Sequence, residues 1–317
     1  MDKAIHFVCG ATSDTQLMPH TSLVSSRNGI IFTTDGIIST WHVFPSKHDI
    51  CVNSKLFFEA YKTTHLEGLY ETGDKFIITG NGTKINLPKH SSCFVKPPKK
   101  FKKIRIPNDF LDIIKKLSRF IATDTTHQWA TGILLRKGKM LSTNSLVFIE
   151  HAVDLCLSHD YIIPAQTIAN LLRINIVPSF IAEKNNCLYF LYKKGILKTS
   201  CIDALWWPDD YKIKTNMDKA NIIKPDFFEG LKKIKNFLNK ESDVYIENNK
   251  IQTDADSING AQVSVPSLNN IRICRFSYKQ LNDLQGIATH IAFSEYPKPC
   301  SFIGSNLKGL IAGKIIQ

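Results

Sequence analysis

One pattern of turn and strand residues recurs three times at nearly equal spacing, and that repeat limits the folds open to this chain. Residues 28–37 read Asn-Gly-Ile-Ile-Phe-Thr-Thr-Asp-Gly-Ile, and residues 137–146 read Lys-Gly-Lys-Met-Leu-Ser-Thr-Asn-Ser-Leu. A weaker copy at 248–257 reads Asn-Asn-Lys-Ile-Gln-Thr-Asp-Ala-Asp-Ser. Gly138 lies 109 residues after Gly29, and Asn249 lies 111 after Gly138. Each copy sets a turn residue before a strand-like run and closes on a polar turn: Thr34-Asp35-Gly36, Thr143-Asn144-Ser145 and Asp254-Ala255-Asp256. Turn chemistry alternating with short apolar runs predicts antiparallel strands.

A second set of echoes follows the first. Cys51-Val52-Asn53 introduces a helical stretch from Ser54 to Tyr61, Tyr161-Ile162-Ile163 introduces one from Pro164 to Leu172, and Cys274-Arg275-Phe276 introduces one from Ser277 to Leu284. Ser54, Pro164 and Ser277 stand where a cap or first turn accepts them. Beyond each helix comes a pair of strand-like runs, within Lys75–Leu87, Cys187–Ser200 and Cys300–Ile316. A longer helix opens the later units. Over 108–121, Phe110, Ile114, Leu117 and Ile121 make an apolar stripe; over 226–240, Phe227, Leu231, Ile234 and Leu238 repeat it. The first unit has only the stub Asp2–Val8. The predicted class is α+β, with tandem domains at 1–98, 99–213 and 214–317. The boundaries fall in the basic, proline-rich connector Lys96–Lys103 and near Lys214–Lys219.

At 317 residues the chain is long enough for three such units. Forty Lys+Arg against 28 Asp+Glu leave a net charge of +12, which favours a polyanionic partner. No apolar run approaches the roughly 20 residues that cross a bilayer, and the N-terminus lacks the apolar stretch of a secretion signal. A soluble, cytoplasmic protein without a membrane partner is expected. The eight cysteines form no C-x-x-C pair and read as reduced thiols, and the histidines show no zinc spacing. Neither a metal nor a cofactor is expected.

Three stretches carry a resemblance. Ser142-Thr143-Asn144-Ser145-Leu146-Val147-Phe148 stands where one family has a strand ending in Thr-Asp-Gly-His-Arg-Leu, and Ile163-Pro164-Ala165 matches its helix-opening Ile-Pro. Cys201-Ile202-Asp203-Ala204-Leu205-Trp206-Trp207-Pro208-Asp209-Asp210-Tyr211 matches its Leu-Ile-Asp-Gly-(aromatic)-Phe-Pro-Asp-Tyr run. The sequence resembles the bacterial-type DNA polymerase sliding clamps, the polymerase III beta subunits, in a divergent form similar to phage clamps. Thr-Asn-Ser for Thr-Asp-Gly, and Ala312-Gly313-Lys314 for the usual Met-Pro-Met ending, are departures.

The resemblance implies three clamp domains per chain, each with two helices packed on antiparallel sheets, forming half of a ring. Two chains joined head to tail would close it, and the roughly 110-residue spacing disfavours a trimer of two larger domains. Such a ring does no chemistry. It would encircle duplex DNA through contacts indifferent to sequence, tether the replicative polymerase and be opened by a clamp loader, in the cytoplasm of a bacterium or of a phage-infected host. The candidate DNA-facing cations lie on the polar sides of predicted helices: Lys55, Lys62, Lys115, Lys116, Arg119, Arg173, Lys232, Lys233 and Lys279. The family's peptide groove carries over to Ala130, Thr143, Ser145, Leu146, Phe148, Pro208, Lys212, Ile213, Ile311, Ala312, Gly313 and Lys314.

Two other readings compete. An enzyme would need a constellation that the sequence lacks: Gly80-Asn81-Gly82-Thr83-Lys84 has no Gly-Lys-Ser/Thr and reads as a hairpin turn, and Asp209-Asp210 reads as a connector. A basic structural or DNA-binding viral protein with repeated domains, lacking clamp activity, is the second alternative.

Overall fold

The first two echoes fold into the same turn. Asp35 Oδ1 accepts from the N–H groups of Ile37 and Ile38 at 2.9 and 2.7 Å, and Asn144 Oδ1 accepts from Leu146 and Val147 at 3.1 and 2.8 Å. Thr34 and Thr143 donate their hydroxyls to the carbonyls of Ile38 and Val147. An Asp or Asn side chain supplies the acceptor in such a turn, so exchanging one for the other preserves it. Ser145 adopts φ 72°, where Gly36 has φ 96°. A side chain in that left-handed region costs about 1 kcal/mol. In the third copy, Ala255, Asp256 and Ser257 lie outside the described residues.

The computed structural model describes residues 2–13, 18–207, 220–238, 242–254 and 260–316. They belong to two units, one comprising Met1–Leu111, Leu155–Ser158 and Gln166–Cys201, the other Asp112–Asp154, His159–Ala165 and Ile202–Gln317.

In the first unit, β1 (Leu23–Arg27), β2 (Ile30–Thr34), β3 (Ile38–Val43) and β4 (Ile50–Asn53) form half of an eight-stranded sheet. The other half is β8 (Lys103–Arg105), β13 (Phe180–Lys184), β14 (Cys187–Leu191) and β15 (Gly195–Ser200). The order is β4-β1-β2-β3-β15-β14-β13-β8, and the halves meet antiparallel at β3 and β15, with His42 opposite Gly195. A separate sheet holds β5 (Gly68–Thr72), β6 (Lys75–Gly80) and β7 (Thr83–Pro88). In the second unit, β9 (Gly132–Arg136), β10 (Lys139–Thr143), β11 (Val147–Ala152) and β12 (Tyr161–Pro164) join β16 (Asn221–Ile222), β21 (His290–Ile291), β22 (Cys300–Gly304) and β23 (Leu307–Ile311). That order is β12-β9-β10-β11-β23-β22-β21-β16, with His151 opposite Leu307 at the join. Its second sheet is β19-β18-β17-β20, from β17 (Asp243–Glu247), β18 (Lys250–Gln252), β19 (Gln262–Ser264) and β20 (Cys274–Ser277).

The repeat is thus visible in the strand order. Its first half is always four strands ordered fourth-first-second-third, and its second half is built around three. Each eight-stranded sheet joins the first half of one repeat to the second half of the next, which is why the two units cut across the three expected repeats.

Among the described residues six helices cover these sheets: α1 (Asp2–Val8), α2 (Ser54–Thr64), α3 (Phe110–Leu117), α4 (Ala165–Ile174), α5 (Pro225–Ile234) and α6 (Tyr278–Asp283). Phe57 on α2, Phe110 on α3 and Phe227 on α5 are fully buried, each contributing about 2–3 kcal/mol by area. Strand hydroxyls complete the last turns of the opening helices: Thr33 donates to the Val8 carbonyl at 2.8 Å, and Ser142 to that of Leu117 at 2.9 Å. Gly80 and Gly304 end equivalent strands against backbone, since a Cβ there would stand 2.0 Å from the Thr64 carbonyl oxygen and 1.9 Å from that of Ile287.

Three expectations need correction. The helices expected over 108–121 and 226–240 are shorter, ending in 3-10 turns at Ser118–Phe120 and Lys235–Phe237, so Leu238 leaves the helical stripe and is half-buried. Ser54 stands buried in the first turn of α2, one of the two places expected for it, and Asn53 supplies the cap, accepting from the Leu56 N–H at 3.1 Å. Each second half has three strands where two were read, because β5 is largely exposed and β21 has only two residues, too little for an apolar alternation. The Lys96–Lys103 connector gives up its last residue to the edge strand β8. The Asn81-Gly82 hairpin turn is borne out, with φ 54° and 70° between β6 and β7.

Candidate DNA-facing helices, docking groove and open sheet edges

The helices bury one face and leave their cations outside. On α2, Phe57, Phe58, Ala60 and Tyr61 pack inward, while Lys55 and Lys62 are exposed. On α3, Ile113, Ile114 and Leu117 are buried, Lys115 is exposed and Lys116 half-buried. Helix α5 buries Phe227, Phe228, Leu231 and Ile234 and exposes Lys232 and Lys233; Lys279 on α6 is also exposed. None of these seven lysines makes an ion pair within 4.0 Å among the described residues. Other cations are paired: Lys89 with Glu71, Lys139 and Lys308 with Glu150, and Arg136 with Asp160. Five of these unneutralised lysines, Lys62, Lys115, Lys116, Lys232 and Lys233, lie in last turns, where the macrodipole favours cations.

The two arginines named with them have structural partners. Arg173, half-buried on α4, donates to the carbonyls of His6 and Phe7 at the end of α1 and to Asn170 Oδ1. Arg119 donates through Nη1 to the carbonyls of Asp283 and Gln285, at 3.1 and 2.9 Å, at the end of α6. In both units an arginine thus ties an opening helix to the second helix of the following repeat. Asp283 beside Arg119 and Lys279 has its carboxyl raised above the usual range by burial, an effect the two cations oppose. Lys235, exposed in the 3-10 turn after α5, belongs with the lysines; its spacing from Lys232 was the signal that would have found it.

The residues carried over as a groove divide in two. Ala130, Thr143, Phe148 and Ile311 are buried in the second unit. Phe148 belongs to a cluster with Leu134, Leu141, Ile162 and Trp207, against which Trp129, Ile202 and Ala204 pack; Trp129 and Trp207 meet edge to face at 5.3 Å. Ser145 and Leu146 are exposed on the Asx turn, Leu146 by 48 %, and Ala312, Gly313 and Lys314 are half-buried beside them, with the Ala312 N–H donating to the Leu146 carbonyl at 2.8 Å. Pro208, Lys212 and Ile213 lie outside the described residues, as do Asp209 and Asp210. Leu205, 87 % exposed next to Ala204, adds an apolar group that no sequence motif singled out as a site.

The C-terminal wall is held by charge. Asp243 on β17, wholly buried, accepts from Arg275 Nε and Nη2 at 3.0 and 2.7 Å and pairs with Lys314 Nζ at 2.6 Å. Arg275 also stacks over the Tyr245 ring at 5.7 Å, and Tyr296 donates its hydroxyl to the Lys314 carbonyl.

Two sheet edges are left over by the pairing rule. β19 occupies the place that β3 and β11 hold in their repeats, and β7 the place of β15 and β23. Among the described residues β19 pairs only with β18, and β7 only with β6. An unpaired edge presents a row of free N–H and C=O groups.

No protein-family model matches the chain, and no curated protein matches its sequence. Solved structures do. The DNA polymerase sliding clamp of Bacillus subtilis aligns with a TM-score of 0.81 at 15% identity, covering 99% of this chain and 97% of that one. The DNA polymerase III beta chain of Streptococcus pneumoniae gives 0.83 at 14% identity, and the Helicobacter pylori beta clamp bound to a DNA ligase peptide gives 0.79 at 15%, with the same coverage. The chain has the fold of the bacterial DNA polymerase III beta sliding clamps.

Proposed function

We propose that this chain is a DNA sliding clamp, a processivity factor and not a catalyst, working in the cytoplasm as a head-to-tail homodimer of three-domain subunits with domains at 1–98, 99–213 and 214–317. The observation that carries this reading is the pair of leftover edges. If first halves always join second halves of the next repeat, the third repeat's first half must find the first repeat's second half, and only another copy can supply it. Extending the second unit's register, in which His151 faces Leu307, sets Val263 of one copy opposite Thr83 of the other and Gln262 opposite Lys84. The half-buried Ile85 and Val263, and the exposed Phe237 after α5, are apolar groups near such a join. When two copies make both joins with each other, no edge is left free and the ring is closed.

Unpaired lysines on the helices support a cationic surface for duplex DNA. Lys55, Lys62, Lys115, Lys116, Lys232, Lys233 and Lys279 would neutralise phosphates by counterion release, with no base readout. Arg119 and Arg173 contribute charge while their guanidinium groups hold helix ends together. Exposed Leu146 and Leu205, with Ala312, Gly313 and Lys314 beside the turn, would receive an apolar peptide from the replicative polymerase or the clamp loader, as a ligase peptide is bound by the Helicobacter pylori clamp. Pro208, Lys212 and Ile213 are carried over to the same role by the resemblance alone.

The register makes the reading testable. Lys84→Cys and Gln262→Cys combined in one chain should give, on oxidation, a disulfide-linked species of twice the 35.8 kDa chain mass, which neither single variant gives. A monomer in solution with no such cross-link would leave a basic repeated-domain DNA-binding protein as the better account.

A further inference from the structure

Cys51 on β4 and Cys93 bring their sulfur atoms to 3.9 Å, the one pair of thiols in contact among the described residues. Cys93 lies in the stretch 89–102, which belongs to no helix or strand. That stretch is held beside β4 by the His90 N–H donating to the Cys51 carbonyl at 2.9 Å, and further on to β3 by the Trp41 indole N–H donating to the Val95 carbonyl at 2.7 Å. The Cys51 thiol also donates to the Ser91 carbonyl at 3.2 Å. A disulfide needs an S–S distance of about 2.05 Å, so the sulfurs must close by roughly 1.9 Å. Cys93 can supply that movement without breaking a strand ladder.

The surroundings set these thiols apart from Cys201, Cys274 and Cys300. With Cys51 ionised, Cys93 donates to its sulfur, which holds the Cys51 thiol below its ordinary value; the same bond, and then burial, raises that of Cys93. Burial pushes Cys201 and Cys300 up to about 12 and raises Cys274 as well. A cavity of about 240 Å³ lined by Ser26, Arg27, Cys51, Lys89, His90 and Ser92 offers a small oxidant a route to β4.

We propose that Cys51 and Cys93 form a peroxide-oxidisable dithiol site that closes to a disulfide, tying β4 to the connector between the first and second repeats. The Cys51 thiolate attacks one peroxide oxygen, the O–O bond breaks, and hydroxide leaves to take a proton as water. Cys51 is then a sulfenic acid. Cys93 loses its proton and attacks the Cys51 sulfur, the S–O bond breaks, and a second water departs as the S–S bond forms. Two electrons pass from the thiol pair to the peroxide.

The test is hydrogen peroxide treatment of the folded full-length chain, then thiol blocking, non-reducing digestion and mass spectrometry. A Cys51–Cys93 cross-linked peptide, about 2 Da lighter than its two parts, should form at least about tenfold faster than Cys274 or Cys300 oxidises. In Cys93→Ser the sulfenic acid should persist on Cys51 and take up dimedone, and in Cys51→Ser neither the cross-link nor a dimedone adduct on Cys93 should form. Recovery of both cysteines as free thiols from the wild-type chain, or of Cys93 bridged to a different cysteine, would overturn the proposal.

Discussion

Replacing Asp243 with Ala should destabilise the second unit far more than any change at its lysine partner. The Asp243 side chain is fully buried and carries two cationic partners, but these differ in access to water: the Arg275 side chain is 17% exposed and that of Lys314 42%. Without the carboxylate, Lys314 can turn to solvent, so its share is that of a surface pair, about 0–1 kcal/mol. Arg275 cannot, and removing one partner of a buried pair costs about 3–5 kcal/mol. The total is about 4 kcal/mol. With a urea m-value of about 2.5 kcal/mol/M, the midpoint of the second unit's transition should fall by about 1.6 M at unchanged slope. Urea unfolding followed by circular dichroism measures this, with Lys314→Met as the comparison, expected within about 1 kcal/mol of wild type. If Asp243→Ala unfolds within about 1 kcal/mol of wild type, or Lys314→Met costs as much as Asp243→Ala, the buried-pair reasoning fails.

Other perturbations address the proposed surfaces. Lys232→Glu with Lys233→Glu should lower the slope of log affinity for duplex DNA against log salt by about 1.8 or more, equally for unrelated sequences, in fluorescence-anisotropy titrations; a loss confined to one sequence would contradict electrostatic binding. Burial raises the Asp283 carboxyl in the folded chain, so its contribution to stability is full below the unfolded pKa and is lost as pH rises through the folded one. Asp283→Asn should therefore gain melting temperature over wild type near pH 7 but not near pH 3, and an advantage that grows on acidification would reverse the sign. Leu146→Glu with Leu205→Glu should weaken binding of an apolar clamp-binding peptide at least about tenfold by calorimetry, while leaving melting temperature within about 2 °C because both side chains are exposed. Unchanged peptide affinity would remove both from the groove.

The sequence was most readable where chemistry is local. The Thr-Asp-Gly and Thr-Asn-Ser echoes make their own hydrogen bonds within five residues, so the turn survives the exchange of Asp for Asn and Gly for Ser. The stripe of Phe227, Leu231 and Ile234 marked the buried face of α5 because a helix places them there whatever it packs on. Non-local pairings left weaker traces. Nothing in Ile38–Val43 announces that it will pair with Gly195–Ser200, more than 150 residues away, and β5 carries no apolar alternation. Arg119 and Arg173 were read as free cations because helical periodicity reports which face a residue occupies, not that a helix end waits there to be capped. Phe148 and Ala130 show the same limit: an apolar residue beside a groove and one beneath it have identical patterns, and only burial separates them.

Topology offers the sharpest test of a closed ring. The Lys84→Cys, Gln262→Cys chain, reduced and mixed with relaxed circular plasmid and with its linear form, is oxidised and then moved to high salt and detergent. A ring joined through β7 and β19 should stay linked to the circle after every electrostatic and folded contact has been abolished, and should slip off the linear molecule. Equal loss of protein from circle and line, with the interchain disulfide formed, would mean that the dimer does not surround DNA.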